Sequence, residues 1–136
     1  RPASADEAAR CADILVTATR SPSPLFDGRL LAPGATVIAV GSARPDAAEV
    51  DAATIARCAR IVVESTAQAR HEAGDLLLAE AGGTSAWAKV SELGDVLAGR
   101  APARQGPEEV NLFESLGFAL EDVAIAGLAW SRLKDR

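Results

Sequence analysis

Gly34-Ala35-Thr36-Val37-Ile38-Ala39-Val40-Gly41-Ser42-Ala43-Arg44-Pro45-Asp46 is the stretch that decides how the chain is read. It leaves a turn at Pro33-Gly34, runs apolar and β-branched to Val40, loses its side chains at Gly41 and closes in a polar turn on Pro45. A short run that is apolar at successive positions fits a strand buried on both faces of a parallel sheet. Ligands of such sheets sit beyond the carboxyl ends of the strands. A glycine there lets backbone approach a flat or anionic ligand with no Cβ between them. Gly41→Val is therefore expected to weaken ligand binding while leaving the protein folded.

The same design recurs on either side. Ala3 to Cys11 reads as a helix, with Ser4 as cap, Asp6 and Glu7 in the first turn and Arg10 in the last. Asp13 to Thr19 follows as a buried strand, and Ser21-Pro22-Ser23-Pro24 as a loop, since two prolines remove two donors. Leu25 to Leu31 is a short irregular lead into the central strand. Asp51 caps a helix from Ala52 to Ala59, and Arg60 to Ser65 is a third strand. Arg10-Cys11-Ala12-Asp13-Ile14-Leu15-Val16 is echoed by Arg57-Cys58-Ala59-Arg60-Ile61-Val62-Val63. Each copy is a helix end, a tight turn and a strand, which places both cysteines as buried packing groups at equivalent helix ends. Alternating helices and apolar strands joined by short turns predict an α/β fold with a parallel sheet flanked by helices.

Further on, Thr66 to Ala73 reads as a helix interrupted at Gly74-Asp75. Leu76-Leu77-Leu78 is too short to assign, and Gly82 to Ser85 is a loop. Val90, Leu93, Val96 and Leu97 recur at helical steps, so Ala88 to Ala98 is expected to be an amphipathic helix ending at Gly99. Arg100 to Pro107 is a Pro/Gly loop and the candidate domain boundary, dividing 1–107 from 108–136. Val110 to Phe113 is a last short strand and Ser115 to Leu133 a long helix, apolar nearly all round. Such a helix needs a partner on more than one side, either the rest of a longer chain or a second subunit.

Composition narrows the function. The chain has 136 residues, of which 49% are hydrophobic, and a net charge of −5 with no basic stripe, which argues against nucleic acid. No run approaches the roughly 18 apolar residues of a membrane span, and no secretory leader is visible. A reducing cytoplasm suits the two thiols. With no Met and an Arg1-Pro2 start, the chain reads either as processed or, the favoured reading, as a piece of a longer one. His71 is the lone histidine, beside Arg70 and Glu72, and makes neither a metal cluster nor a triad. Glu108-Glu109 and Glu121-Asp122 are neighbours in sequence and diverge on a helix, so they read as solvated. No G-x-G-x-x-G is present, so the phosphate turn of a dinucleotide fold lies elsewhere. Three strand ends offer polar groups at one edge: Thr17-Ala18-Thr19, Gly41-Ser42-Ala43-Arg44 and Ser65-Thr66. They suit a cofactor's ribose, phosphates or carboxamide, and equally suit strand ends and helix caps.

An ordered set of segments resembles the ornithine cyclodeaminase/mu-crystallin family. The set comprises Ala12 to Thr19, Leu31 to Gly34, Ala39 to Asp46, Glu72-Ala73-Gly74-Asp75, Glu92 to Gly99, Asn111 to Gly117 and Ala119-Leu120-Glu121-Asp122. The resemblance implies a homodimeric protein whose Rossmann domain is inserted in a substrate and dimerisation domain, with this chain its C-terminal part. It implies that Thr17, Ala18, Thr19, Val40, Gly41 and Ser115 line an NAD(P)H site and that Glu72 lies near the substrate. It assigns no catalytic residue within the chain. Ornithine cyclodeaminases look to carry an Asp where this chain has Ala43, which moves no proton. The Gly-x-x-Arg-Pro-Asp form here is more similar to mu-crystallin and the bacterial ketimine reductases, which reduce cyclic imino acids. Cyclodeamination of ornithine, or ligand binding without turnover, are the other activities on this fold. The strand end that reads the ribose 2′ position lies upstream of Arg1, so NADH and NADPH stay equal choices. Taken alone, the chain is expected to be inactive, to bind NAD(P) weakly and to self-associate.

Overall fold

The computed structural model describes residues 3–41 and 43–134. Its sheet is parallel throughout and has five strands in the order β1-β2-β5-β3-β4, where β1 is Ile14–Thr17, β2 Thr36–Ala39, β3 Cys58–Val63, β4 Val90–Glu92 and β5 Val110–Glu114. The helices are α1 (Ala5–Cys11), α2 (Ala52–Arg57), α3 (Thr66–Glu72), α4 (Gly74–Ala81), α5 (Leu93–Leu97) and α6 (Ala119–Lys134).

Local chemistry explains most boundaries. Ser4, Asp51 and Ser65 each accept a backbone N–H of the helix that follows them, as N-caps do. Gly34 has φ +79°, the conformation that the Pro33-Gly34 turn requires, and its N–H reaches the Glu108 carbonyl at 3.0 Å. The irregular lead from Leu25 to Leu31 contains one turn of 3-10 helix, Gly28–Leu30.

Alternation along the strands sorts residues between two faces. Val37, Ala39, Ile61, Val63, Val110 and Leu112 are buried in one cluster with Ala9 of α1, Ile55 of α2, and Leu76 and Ala79 of α4. The opposite face is covered less. There the Arg104 guanidinium donates to Thr36 Oγ1 at 2.8 Å, laying the loop after α5 across the sheet. At β1 that face is bare, with Ile14 65% and Val16 56% exposed. The reading of Asp13 to Thr19 as a buried strand is corrected to this extent: β1 is the outermost strand, an open edge beyond which the described residues place nothing.

Other elements differ from the sequence reading or go beyond it. Cys58 opens β3 and is buried, which pushes its thiol up to about 12, whereas Cys11 ends α1 in the open, its Sγ directed at the Glu7 carbonyl. The two copies of the repeat diverge because α2 stops at Arg57, one residue before its cysteine. Leu76 to Leu78 belong to α4, which starts where Gly74 packs flush against the Ala47 and Arg44 carbonyls. The helix expected over Ala88 to Ala98 is a 3-10 turn, then β4, then the five-residue α5. Pairing of Val90–Glu92 with Ile61–Val63 completes the free side of β3 and outweighs the local helical spacing. Finally, Val110–Glu114 lies between β2 and β3, so the sheet includes residues beyond the loop at 100–107, and the chain leaves it only after β5.

That exit leads through Gly117, at φ +76°, into α6, none of whose residues is buried. Leu120, Val123, Ile125, Trp130 and Leu133 are each 64–69% exposed. Each large apolar side chain left in water forgoes about 1.5–3 kcal/mol. The 136-residue chain on its own is expected to self-associate through this helix. Sedimentation showing a monomer at every concentration would contradict this.

Candidate functional site at the carboxyl edge of the sheet

The register aligns Thr17, Ala39, Glu114, Val63 and Glu92 in one row across the five strands. The next residues of each strand leave from one edge. Val40 N–H donates to the Thr17 carbonyl at 2.9 Å, and Ser115 N–H to the Ala39 carbonyl at 2.8 Å. The fold thus brings Thr17, Ala18, Thr19, Val40, Gly41 and Ser115 together on three adjoining strand ends. Ser42, the polar residue after Gly41, lies outside the described residues. Glu72 stands apart from that edge, at the end of α3. Gln68 Nε2 donates to its Oε2 at 2.9 Å and to the Gly117 carbonyl at 3.2 Å, so Glu72 borders the exit towards α6.

A cleft of about 390 Å³ opens at the β1 and β2 ends, lined by Arg20, Ser21, Gly41, Ala43, Arg44 and Ala47. Arg44 pairs with Asp46 at 2.7 Å, and each holds the other charged. Ala43 lines the cleft with a methyl group, so no proton-moving side chain stands at that position.

Four carboxylates organise this edge, and sequence reasoning passed over all of them as functional groups. Glu49 is fully buried. Its Oε1 accepts the N–H and O–H of Thr19, and its Oε2 the N–H of Gly41 at 2.9 Å. Glu64 plays a similar part between β3 and β5: Ser115 Oγ donates to its Oε1, and Leu116 N–H to its Oε2 at 3.1 Å. Asp75, in the first turn of α4, accepts Val50 N–H at 2.7 Å through Oδ1. Asp75 Oδ2 and Glu114 Oε2 are buried with no donor among the described residues, and the two carboxyl groups lie within reach of each other. Burial raises both acids. Glu114 goes well above its ordinary value of 4.5, helped by the charge of Asp75 and then by Glu49 and Glu64. Their interaction raises Glu114 and lowers Asp75, which favours a proton on Glu114. Only Glu114 carried a sequence signal, since it shares the two-residue period of Val110 and Leu112 that marks the buried face.

Gly41 acquires a second meaning here. A Cβ on it would overlap the Thr19 carbonyl and the Glu49 carboxylate. The space that its missing side chain leaves is filled by this protein's own atoms, so the expectation that Gly41→Val stays folded does not survive.

At this edge Thr17 Oγ1 is buried with no hydrogen-bond partner among the described residues, Ala18 and Val40 present apolar surface, and the cleft sets Arg20, Ser21 and Arg44 beside Gly41, Ala43 and Ala47. A parallel sheet with its polar strand ends gathered beside such a cleft defines a Rossmann-type α/β module. The chain belongs to the ornithine cyclodeaminase/mu-crystallin family, whose sequence profile it matches over residues 2–136. It is 38% identical over 128 residues to a Bacillus cereus Δ1-pyrroline-2-carboxylate reductase, covering 93% of this chain and 39% of that protein. Among solved structures, the probable ornithine cyclodeaminase from Bordetella pertussis is 51% identical with a TM-score of 0.91, over 98% of this chain and 42% of that one. The Thermococcus litoralis Δ1-pyrroline-2-carboxylate reductase, solved with NADH and L-proline, is 32% identical with a TM-score of 0.91, over 97% and 41%. The chain thus spans about two-fifths of the length of these relatives. Among the described residues no helix is long and apolar enough to cross a membrane.

Proposed function

We propose that the protein to which this chain belongs reduces cyclic ketimines, of the pyrroline-2-carboxylate or piperideine-2-carboxylate type, with NAD(P)H. The observation that carries this reading is the assembled strand edge, with Thr17, Ala18, Thr19, Val40, Gly41 and Ser115 on adjoining ends beside a cleft where Ala43 supplies no acid or base. The likeness to a reductase solved with NADH and L-proline supports it. In this proposal the six residues seat the nicotinamide nucleotide, and Glu72 lies on the substrate side. A bound nicotinamide supplies the hydride. The chain's own part is orientation: the strand ends fix the ring, and the apolar Ala18 and Val40 limit water at its face. The chain has no G-x-G-x-x-G, so the pyrophosphate is held by elements outside it. The exposed α6 returns to a second domain that completes the substrate pocket and the homodimer, and the protein works in the cytoplasm on small imino acids. In this proposal the division between the domains, expected after Pro107 on sequence, falls at the exit from β5.

A second reading is favoured by the 51% identity to the Bordetella protein: ornithine cyclodeamination, with NAD recycled internally. A third, binding without turnover, is motivated by Ala43. The full-length protein is expected to oxidise NADH or NADPH in the presence of either cyclic imine. Ammonia release from ornithine with no net change in NADH would establish the second reading. Tight nucleotide binding with no turnover of any imine or amino acid would establish the third.

A further inference from the structure

Glu49 touches neither the cleft nor the open face, yet its carboxylate is the point at which the β1 and β2 ends meet. All its described donors come from the two turns that leave those strands: Thr19 N–H, Thr19 O–H and Gly41 N–H. Among the described residues no cation pairs with it, since the ion pairs there are Arg29–Asp27, Arg44–Asp46 and Arg100–Asp95. A buried carboxylate without a counter-ion is costly unless its oxygens are hydrogen-bonded. Here both oxygens are. The residue itself is held from behind: Leu25 N–H donates to its carbonyl at 2.9 Å, and the next amide, of Val50, is taken by Asp75. Gly74 lets α4 close on the Arg44 and Ala47 carbonyls of the same segment. The segment from Arg44 to Val50 is therefore anchored on the helical layer and turns the Glu49 side chain inward beneath the edge.

We infer that Glu49 is a positioning residue of the nucleotide site, clamping the turn after β1 to the turn after β2 and so setting the backbone against which the nicotinamide nucleotide is seated. This rests on the proposed reading of that edge as the NAD(P) site. Both acceptor oxygens are essential to the clamp. An amide in its place keeps one acceptor oxygen but turns an NH₂ group towards a backbone N–H, and two donors then face each other.

The test uses the full-length protein, with NADH and NADPH as probes. Glu49→Gln is expected to keep its circular dichroism spectrum and to raise the Kd and the KM for the nucleotide about tenfold or more. The KM for the imine and kcat at saturating nucleotide are expected to move by less than about threefold. Glu49→Asp, which keeps the charge on a shorter arm, is expected to recover part of the loss. An unchanged nucleotide Kd in Glu49→Gln would overturn the inference and leave the functional reading standing. A fall in kcat alone, matching a smaller folded fraction, would overturn it in favour of a purely structural residue. Should Glu49→Gln not fold, Glu49→Asp decides: a folded Glu49→Asp protein with a raised nucleotide Kd supports the clamp, whereas unchanged binding overturns it. If the unsubstituted protein binds neither nucleotide, the functional reading fails and the inference falls with it.

Discussion

In the full-length protein, Gly41→Val is expected to lower the unfolding free energy by about 3 kcal/mol or more, with a sharply lower urea midpoint, and to abolish nucleotide binding in whatever remains folded. The size follows from what a side chain would meet. The first carbon already overlaps the Thr19 carbonyl, which is backbone, and the Glu49 carboxylate, which is buried and held on both oxygens. Neither yields as a flexible surface side chain would. Relief requires the β1 and β2 turns to separate, which breaks the hydrogen bonds from Thr19 and Gly41 to Glu49 and leaves a buried carboxylate unpaired. Gly41→Ala meets the same first carbon, so it too is expected to be severely destabilised. Urea midpoints for both variants, with nucleotide titration of the folded fraction, check this. A valine protein that unfolds at the normal midpoint would show that the turns are free to part without cost.

The second large effect is expected in the dependence of stability on pH. Glu114 is raised well above 4.5, and Asp75 above 3.8, in both cases chiefly by burial. In the unfolded chain both ionise at their ordinary values. Above pH 4.5 the unfolded state therefore gives up a proton that the folded pair retains. The stabilisation is whole below the unfolded value and is lost as pH rises through the folded one. Each tenfold gain in proton affinity on folding corresponds to about 1.4 kcal/mol. The groups that face Glu114 are Asp75, Glu49 and Glu64, all acidic, so the described surroundings offer no cation to offset a charge there. Glu114→Gln keeps a donor towards Asp75 and removes the titration. Its stability is expected to fall less steeply as pH rises above 4.5, and to exceed that of the unsubstituted protein at alkaline pH. Chemical denaturation at a series of pH values measures the difference. Parallel curves for the two proteins would show that Glu114 does not retain the proton.

These two effects concern one piece of structure, and it decides what a nucleotide could meet. The turns after β1 and β2 are not free loops awaiting a ligand. Glu49 ties them to each other and, through Val50 and Asp75, to the helical layer. Glu64 does the same for the start of the exit from β5, and Gln68 continues that tie to Gly117. The site is preorganised by acids beneath its surface rather than by groups within the cleft.

The sequence by itself determined the class of fold, because that rests on short-range terms. Apolar β-branched runs at Ile14 to Thr17, Thr36 to Ala39 and Arg60 to Val63 alternate with capped helices across short turns, and such units close only into a parallel sheet. The caps at Ser4, Asp51 and Ser65, the turn at Gly34 and the loop at Arg100 to Pro107 are local in the same sense. The ordered family segments located the strand-end residues for the same reason, since each lies within a few positions of its motif. Tertiary structure alone decided the rest. Val90 to Glu92 satisfies a helical period, and only the unfilled side of β3 made it a strand. The place of β5 between β2 and β3 is a pairing over tens of residues, which no local period encodes. Glu49 sits in a stretch that looks like any polar loop. A carboxylate's burial depends on which amides the fold brings to it, and those of Thr19 and Gly41 come from two other strand ends, as the oxygens of Asp75 and Glu114 come from a helix and a strand far apart in sequence.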